Sequence, residues 1–148
     1  MIREANLADI PRLVEMGRQF IAESTYKQHL PENPKQLHVL AEQIISNPKG
    51  AILVSESEGK LTGMLALITY PHPFSGELVA GEVFWWVDPE ARKGRTGLKL
   101  MRRAEKVAIE LGAKKMQMVA PTERIARLYE RLGYEKVEST YQTGLSWQ

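Results

Sequence analysis

The changes of hydrophobic period along the chain predict one α/β domain built on a mixed sheet. Three observations carry the expectation: two amphipathic helical stretches before residue 47, a block of apolar runs with strand character from 51 to 87, and alternating helix and strand patterns after 96. The expected order is strand, two helices, three strands, helix, strand, helix, two strands. That makes about seven strands and four helices in one domain over residues 1–148.

Ile2 to Ala5 reads as a short edge strand. Asn6 and Asp9 are N-cap types and Pro11 suits a first helical turn, after which Ile10, Leu13, Val14, Gly17 and Ile21 recur at helical spacing. Glu23 to Lys35 is polar, contains Pro31 and Pro34, and reads as a loop. Leu37, Leu40, Ala41, Ile44 and Ile45 then form the stripe of a second helix, which Asn47-Pro48 stops. Ala51–Ser55 and Leu61–Tyr70 read as strands joined by a turn at Glu58-Gly59-Lys60. Pro71 to Gly76 breaks the pattern before Glu77–Val87, whose end Val83-Phe84-Trp85-Trp86-Val87 has the density of a buried central strand. From Thr96, Leu98, Met101, Ala104, Val107, Ala108 and Leu111 define a third helix closed by Gly112. Lys115–Ala120 follows as a strand, and Pro121-Thr122 opens a short helix with Ile125, Leu128, Tyr129 and Leu132 on one face. Tyr134–Val137 and Thr140–Leu145 complete the chain as a hairpin.

Composition narrows the chemistry. The chain has no cysteine, which removes disulfides, thiolate metal sites and a cysteine nucleophile together. No His/Asp/Glu cluster has metal-ligand spacing, so no metal is expected. A net charge of +2 is too small to point to nucleic acid by itself. No apolar run is long enough to span a bilayer, and Met1-Ile2-Arg3-Glu4 does not begin a signal peptide. A cytoplasmic protein is the expectation.

The residues with most to say are Arg92-Lys93-Gly94-Arg95-Thr96-Gly97, between the dense strand and the third helix. The first N–H groups of a helix lack partners within it and the helix dipole favours negative charge there. Gly94 and Gly97 permit a sharp turn and close approach of the backbone to a phosphate, while Arg92, Lys93 and Arg95 add full charges. The turn is neither a P-loop, lacking the final Gly-Lys-Ser/Thr, nor a dinucleotide fingerprint, lacking the third glycine.

The segment Val87-Asp88-Pro89-Glu90-Ala91-Arg92-Lys93-Gly94-Arg95-Thr96-Gly97-Leu98 resembles the acetyl-CoA-binding motif of the GNAT acetyltransferase superfamily, Gln/Arg-x-x-Gly-x-Gly/Ala after a strand ending in Val-x-Pro. Ala126-Arg127-Leu128-Tyr129-Glu130-Arg131-Leu132-Gly133-Tyr134 is similar to its second signature, and the element order matches over nearly the whole chain. Two positions depart from the pattern: Arg95 stands where the first glycine is expected, and Glu123 lies near the place of an asparagine that contacts the pantetheine arm. The resemblance implies a GNAT-like three-layer α/β fold and acetyl transfer from acetyl-CoA to a primary amine by direct attack.

The resemblance also implies roles. Arg92, Lys93, Gly94, Arg95, Thr96 and Gly97 would hold the pyrophosphate, and the backbone near Trp86 and Val87 would donate to the oxyanion. Tyr129 would protonate the leaving thiolate, a phenol's pKa of about 10 lying close to that of an alkyl thiol. Glu82 is the candidate base, with Glu77 and His72 as alternatives, and a bulge would decide which way Glu82 points. Trp85 and Trp86 alternate across a strand, so one at least belongs to the core, and Trp147 would cap a hairpin or meet a second subunit. A non-catalytic acyl-CoA-binding module and a nucleic-acid-binding protein using the basic stretch of the third helix are the rival readings. The acceptor amine is not legible, although Tyr26 and His29 lie in a loop that borders the acceptor site in this fold, and a homodimer is a further possibility.

Overall fold

The computed structural model describes residues 1–146; Trp147 lies outside the described residues. Five strands form one sheet in sequence order: β1 (Ile2–Glu4), β2 (Gly50–Ser57), β3 (Lys60–Pro71), β4 (Leu78–Val87) and β5 (Lys115–Gln117). Only β4 and β5 are parallel, and α3 (Thr96–Glu110) supplies the crossover that a parallel pair requires. On one face α1 (Ile10–Ala22) and α2 (Pro34–Ser46) pack over Ile52, Val54, Met64, Ala66 and Trp86. On the other, α3 and α4 (Glu123–Arg131) cover Leu53, Leu65, Leu67 and Val87. The sheet is therefore the middle of three layers.

Local chemistry accounts for the boundaries. Asn6 and Asp9 form a reciprocal capping box around the 3-10 turn Leu7–Asp9 that leads into α1. The polar loop of residues 23–33 includes a second 3-10 turn, Thr25–Gln28, and Asn33 caps α2 with Pro34 at its first turn. Glu58 and Gly59 both take positive φ (53° and 75°), the backbone of a two-residue hairpin turn between β2 and β3.

The expectation of about seven strands is corrected to five. β5 stops at Gln117 instead of running to Ala120, and neither Tyr134–Val137 nor Thr140–Leu145 is a strand. Tyr134 donates its backbone N–H to the Tyr129 carbonyl, and from Glu135 to Ser146 the chain is exposed. A three-residue edge gives a hairpin little to pair with, and a segment whose large apolar side chains are Val137, Tyr141 and Leu145 has little to bury there.

One polar link ties the layers together beside the end of β4. Asp88 is buried, accepts from Trp86 Nε1 at 3.2 Å and forms an ion pair with Arg12 on α1. The same guanidinium donates to the Leu61 carbonyl at 3.0 Å. Removing Arg12 would leave a carboxylate buried without its cation, so Arg12→Ala is expected to cost about 2–3 kcal/mol. Urea unfolding of the two proteins checks this; an unchanged midpoint contradicts it.

Candidate active site

β4 and β5 pair only at Val79/Lys115, Ala80/Met116 and Gly81/Gln117. Beyond Gly81 the two strands part, leaving the β5-facing side of residues 82–87 without a strand partner. Which main-chain groups face that gap follows from the ladder with β3. Asp88 N–H donates to Thr62 O at 2.8 Å, and bonded and non-bonded pairs alternate in an antiparallel ladder. With Met64 opposite Trp86 and Gly63 opposite Val87, the main chain of Trp86 faces β3 while those of Trp85 and Val87 face the gap.

A bulge sets the side chains. Ala66 pairs with Phe84 and Leu67 with Glu82, so Val83 is the extra residue. Val83 and Phe84 therefore both pack toward the layer of α1 and α2, and Glu82 turns to the α4 side, where a regular strand would have directed it away. Two functional groups then meet on one peptide segment. Val119 N–H donates to Glu82 Oε1 at 3.3 Å, and Tyr129 Oη donates to Val119 O at 2.9 Å.

Burial raises the Glu82 carboxyl to about 7, with the Val119 N–H bond opposing the shift. Burial also raises the Tyr129 phenol, and the Glu82 charge adds to the effect. Near neutral pH Glu82 exchanges a proton readily while Tyr129 keeps its own, which suits a base and a donor held side by side. The alternatives sit differently. Glu77 precedes β4, and its hydrogen bond from Lys115 holds it below the usual carboxylate range. His72 accepts the Phe74 N–H within the loop before β4.

Trp85 forms a wall between this pair and the basic turn. Its ring stacks on Tyr129 (6.1 Å between centroids, 21° between planes), and a Cβ on Gly97 would lie 3.4 Å from its Cζ2. Its Nε1 is buried without a hydrogen-bond partner among the described residues. Trp86 belongs to the opposite core, edge-on to Phe20. The sequence singled out neither Val119 nor Trp85 as part of a site; only the element order, placing residue 119 near the end of the strand after the third helix, offered a signal.

The turn divides into an inward and an outward part. Arg92 donates Nε–H to Val87 O at 2.7 Å and lays its guanidinium over the Trp86 ring at 4.5 Å, with Glu23 3.6 Å away. Lys93, Gly94 and Arg95 are exposed, and Arg95 occupies the N-cap of α3 without a side-chain cap. The first N–H groups of α3, on Thr96, Gly97 and Leu98, are thus open to an anion. Neither Gly94 nor Gly97 takes positive φ, so the conformational freedom expected of Gly94 goes unused. Gly97 matters for space, since it lets α3 start against Trp85 and Val87. A cleft of about 660 Å³ borders Gly94, Thr96, Lys99 and Arg103 on the β1–β2 side, and another of about 540 Å³ lies between α1 and α2. Neither contains Glu82 or Tyr129, whose surroundings are the open fork between strands.

The Glu82 shift has a stability consequence. The folded carboxyl holds its proton up to about pH 7 and the unfolded one releases it near 4.5, so the native state binds more protons between these values. Stability should therefore fall as pH rises from about 4.5 to 7, by about 3 kcal/mol, and level off above. Glu82→Gln should lack this decline, as urea unfolding across that range can show; parallel profiles for the two proteins contradict the assignment.

Comparison with known proteins agrees with this architecture. The family model described as Acetyltransferase (GNAT) family matches residues 16–134. A transcriptional regulator from Bacillus halodurans C-125 is similar in fold, with 20% identity, a TM-score of 0.80, and 98% of this chain and 99% of that one covered. A ribosomal-protein-alanine N-acetyltransferase from Brucella melitensis biovar Abortus 2308 shares 18% identity over 98% of each chain at a TM-score of 0.75. A predicted acetyltransferase with acetyl-CoA from Clostridium acetobutylicum shares 17% identity at a TM-score of 0.78, covering 97% of this chain and 95% of that one. No curated protein matches significantly. The matched span takes in the fork, the basic turn and both Glu82 and Tyr129: the chain belongs to the GNAT acetyltransferase family.

Proposed function

We propose that this protein transfers the acetyl group of acetyl-CoA to a primary amine by direct attack in a ternary complex, with Glu82 as base and Tyr129 as acid. The observation that carries the reading is the pairing of these two side chains on Val119 at the mouth of the fork. The amine nitrogen attacks the thioester carbonyl carbon, forming the C–N bond. Its proton passes to Glu82, directly or through water. Val87 N–H, directed into the fork, supplies a donor for the developing oxyanion. The C–S bond then breaks, and the sulfur takes its proton from Tyr129. Because burial weakens Tyr129 as a free acid, its hydroxyl begins as a hydrogen-bond donor and gives up the proton only as charge collects on sulfur.

Pyrophosphate binding falls to the α3 N-terminus, with Lys93 and Arg95 as outward charges. Arg92 acts indirectly: it braces the end of β4 through Val87 O and Trp86, and leaves Val87 N–H directed at the fork. The small-amine or peptide acceptor would approach from the α1–α2 loop, where Tyr26 lies 6.1 Å from Phe20 between ring centroids. Among the described residues no helix is long and apolar enough to cross a membrane.

Release of free CoA from acetyl-CoA in the presence of an amine panel tests the reaction itself. Cofactor binding without release would favour the non-catalytic acyl-CoA-binding module. For the residues, kcat/KM should rise with pH through about 7, and Glu82→Gln should abolish that limb and lower the rate by about 10²-fold or more. Tyr129→Phe should lower kcat by about tenfold or more with little change in acetyl-CoA affinity. Unchanged turnover in the Phe variant removes Tyr129 from the mechanism.

A further inference from the structure

Trp85 leaves a buried N–H unpaired where a leucine or methionine would not. The residue is partly buried against the core under α3 and α4, and its Nε1 finds no hydrogen-bond partner among the described residues. Burying a donor in that way is unfavourable. What the indole adds is a wide, flat face, and that face lies against Tyr129 with 6.1 Å between centroids and 21° between planes. This is the geometry of an offset stack, favourable beyond the area it buries.

The phenol has few other supports. Tyr129 is the one fully buried residue of α4, a helix of nine residues and too short to hold its shape alone. Its hydroxyl donates to Val119 O, in a segment beyond the end of β5 where Val119 is exposed. A bond at that one atom locates the oxygen and leaves the plane of the ring undetermined. Tyr134, held by its own hydroxyl on Glu105 at 2.8 Å, touches Tyr129 at 5.7 Å between centroids, but its plane is tilted by 40°. Trp85 lies nearer to parallel and is itself backed by a helix. Gly97 lets α3 start directly against the indole, since a Cβ there would lie 3.4 Å from Trp85 Cζ2 and 3.6 Å from Val87 Cγ2.

We propose that Trp85 is a positioning residue for Tyr129: its indole, backed by the first turn of α3, fixes the plane of the phenol at the mouth of the fork. The role rests on the acid assigned to Tyr129 above. It also gives the indole a place between the two ends of the bound cofactor, with the pyrophosphate on α3 and the sulfur at Tyr129. A side chain of similar volume but no plane would keep the core filled and release the phenol.

Methionine and phenylalanine fill similar space, and only phenylalanine has a plane. Trp85→Met should lower kcat about fivefold, with the KM for acetyl-CoA changed by less than about twofold, and Trp85→Phe should stay within about twofold of wild type. In the Tyr129→Phe background, with no proton to place, methionine and phenylalanine at position 85 should give the same turnover. Equal turnover of Trp85→Met and Trp85→Phe with Tyr129 intact overturns the proposal, because it marks a role in filling space. So does a loss in Trp85→Met of the same size whether or not Tyr129 keeps its hydroxyl. Nuclear magnetic resonance of ring-labelled tyrosine gives a readout free of turnover. The Tyr129 signals, identified by their loss in Tyr129→Phe, should lie upfield of free tyrosine in the wild type and move back toward it in Trp85→Met. Unshifted signals in the wild type overturn the proposal even where the methionine variant does not fold. Full turnover in Tyr129→Phe faults the acid assignment alone, and the ring signals then decide whether Trp85 places the phenol.

Discussion

The fork between β4 and β5 is the constraint on which the site depends. Parallel strands normally satisfy one another's main chain along their length, yet here the ladder covers three pairs and ends. Polar groups past that point need other partners. The Val119 peptide segment takes a carboxyl on its N–H and a phenol on its C=O, so two side chains are drawn to one place. On the opposite bank, Val87 turns its N–H into the gap and has its carbonyl taken by Arg92. A backbone requirement has thereby become a chemical arrangement: the carboxyl, phenol and N–H proposed as base, acid and oxyanion donor surround one opening.

Burial gives that arrangement its electrostatic character. Glu82 lies under the segment it binds, and the loss of water raises its carboxyl to about 7 instead of leaving it a fixed anion. Only the Val119 N–H bond opposes this shift, with no cation contributing; Arg92 is engaged by Val87 O and Trp86. Trp86 in turn leans on Asp88 and through it on Arg12, which extends the bracing to α1. The face of β4 toward α1 and α2 thus does the holding, and the face toward α3 and α4 carries the groups proposed to react. Trp85 belongs to the second face and separates the basic turn from Tyr129 by the width of one indole.

Much of this was legible in the sequence because it follows from period and turn chemistry. The helical stripes, the Glu58-Gly59 turn and the strand-turn-helix at residues 83–98 need only local rules. Tyr129 and Glu82 were legible as candidates through motif position. Their meeting was not, because the bulge at Val83 is a register shift with no distinctive residue to mark it, and one residue of shift exchanges the faces of a strand. Arg92 reads as a phosphate ligand from charge alone; only the geometry reveals that a neighbouring indole and carbonyl claim it. The expected final hairpin fails for a related reason. Alternation at Tyr134–Val137 and Thr140–Leu145 records a capacity to pair, and pairing depends on an edge elsewhere in the fold.

The proposed reaction requires the fork to hold the reacting thioester between β4 and the Val119 segment. A crystal structure with a non-transferable acetyl-CoA analogue bound tests it most directly. The acyl oxygen should lie about 3 Å from Val87 N, the atom in place of sulfur should face Tyr129 Oη, and the pyrophosphate should rest on the N–H groups of Thr96 to Leu98. An analogue seated with its acyl end outside the fork, with Glu82 and Tyr129 still closed on Val119, would contradict it.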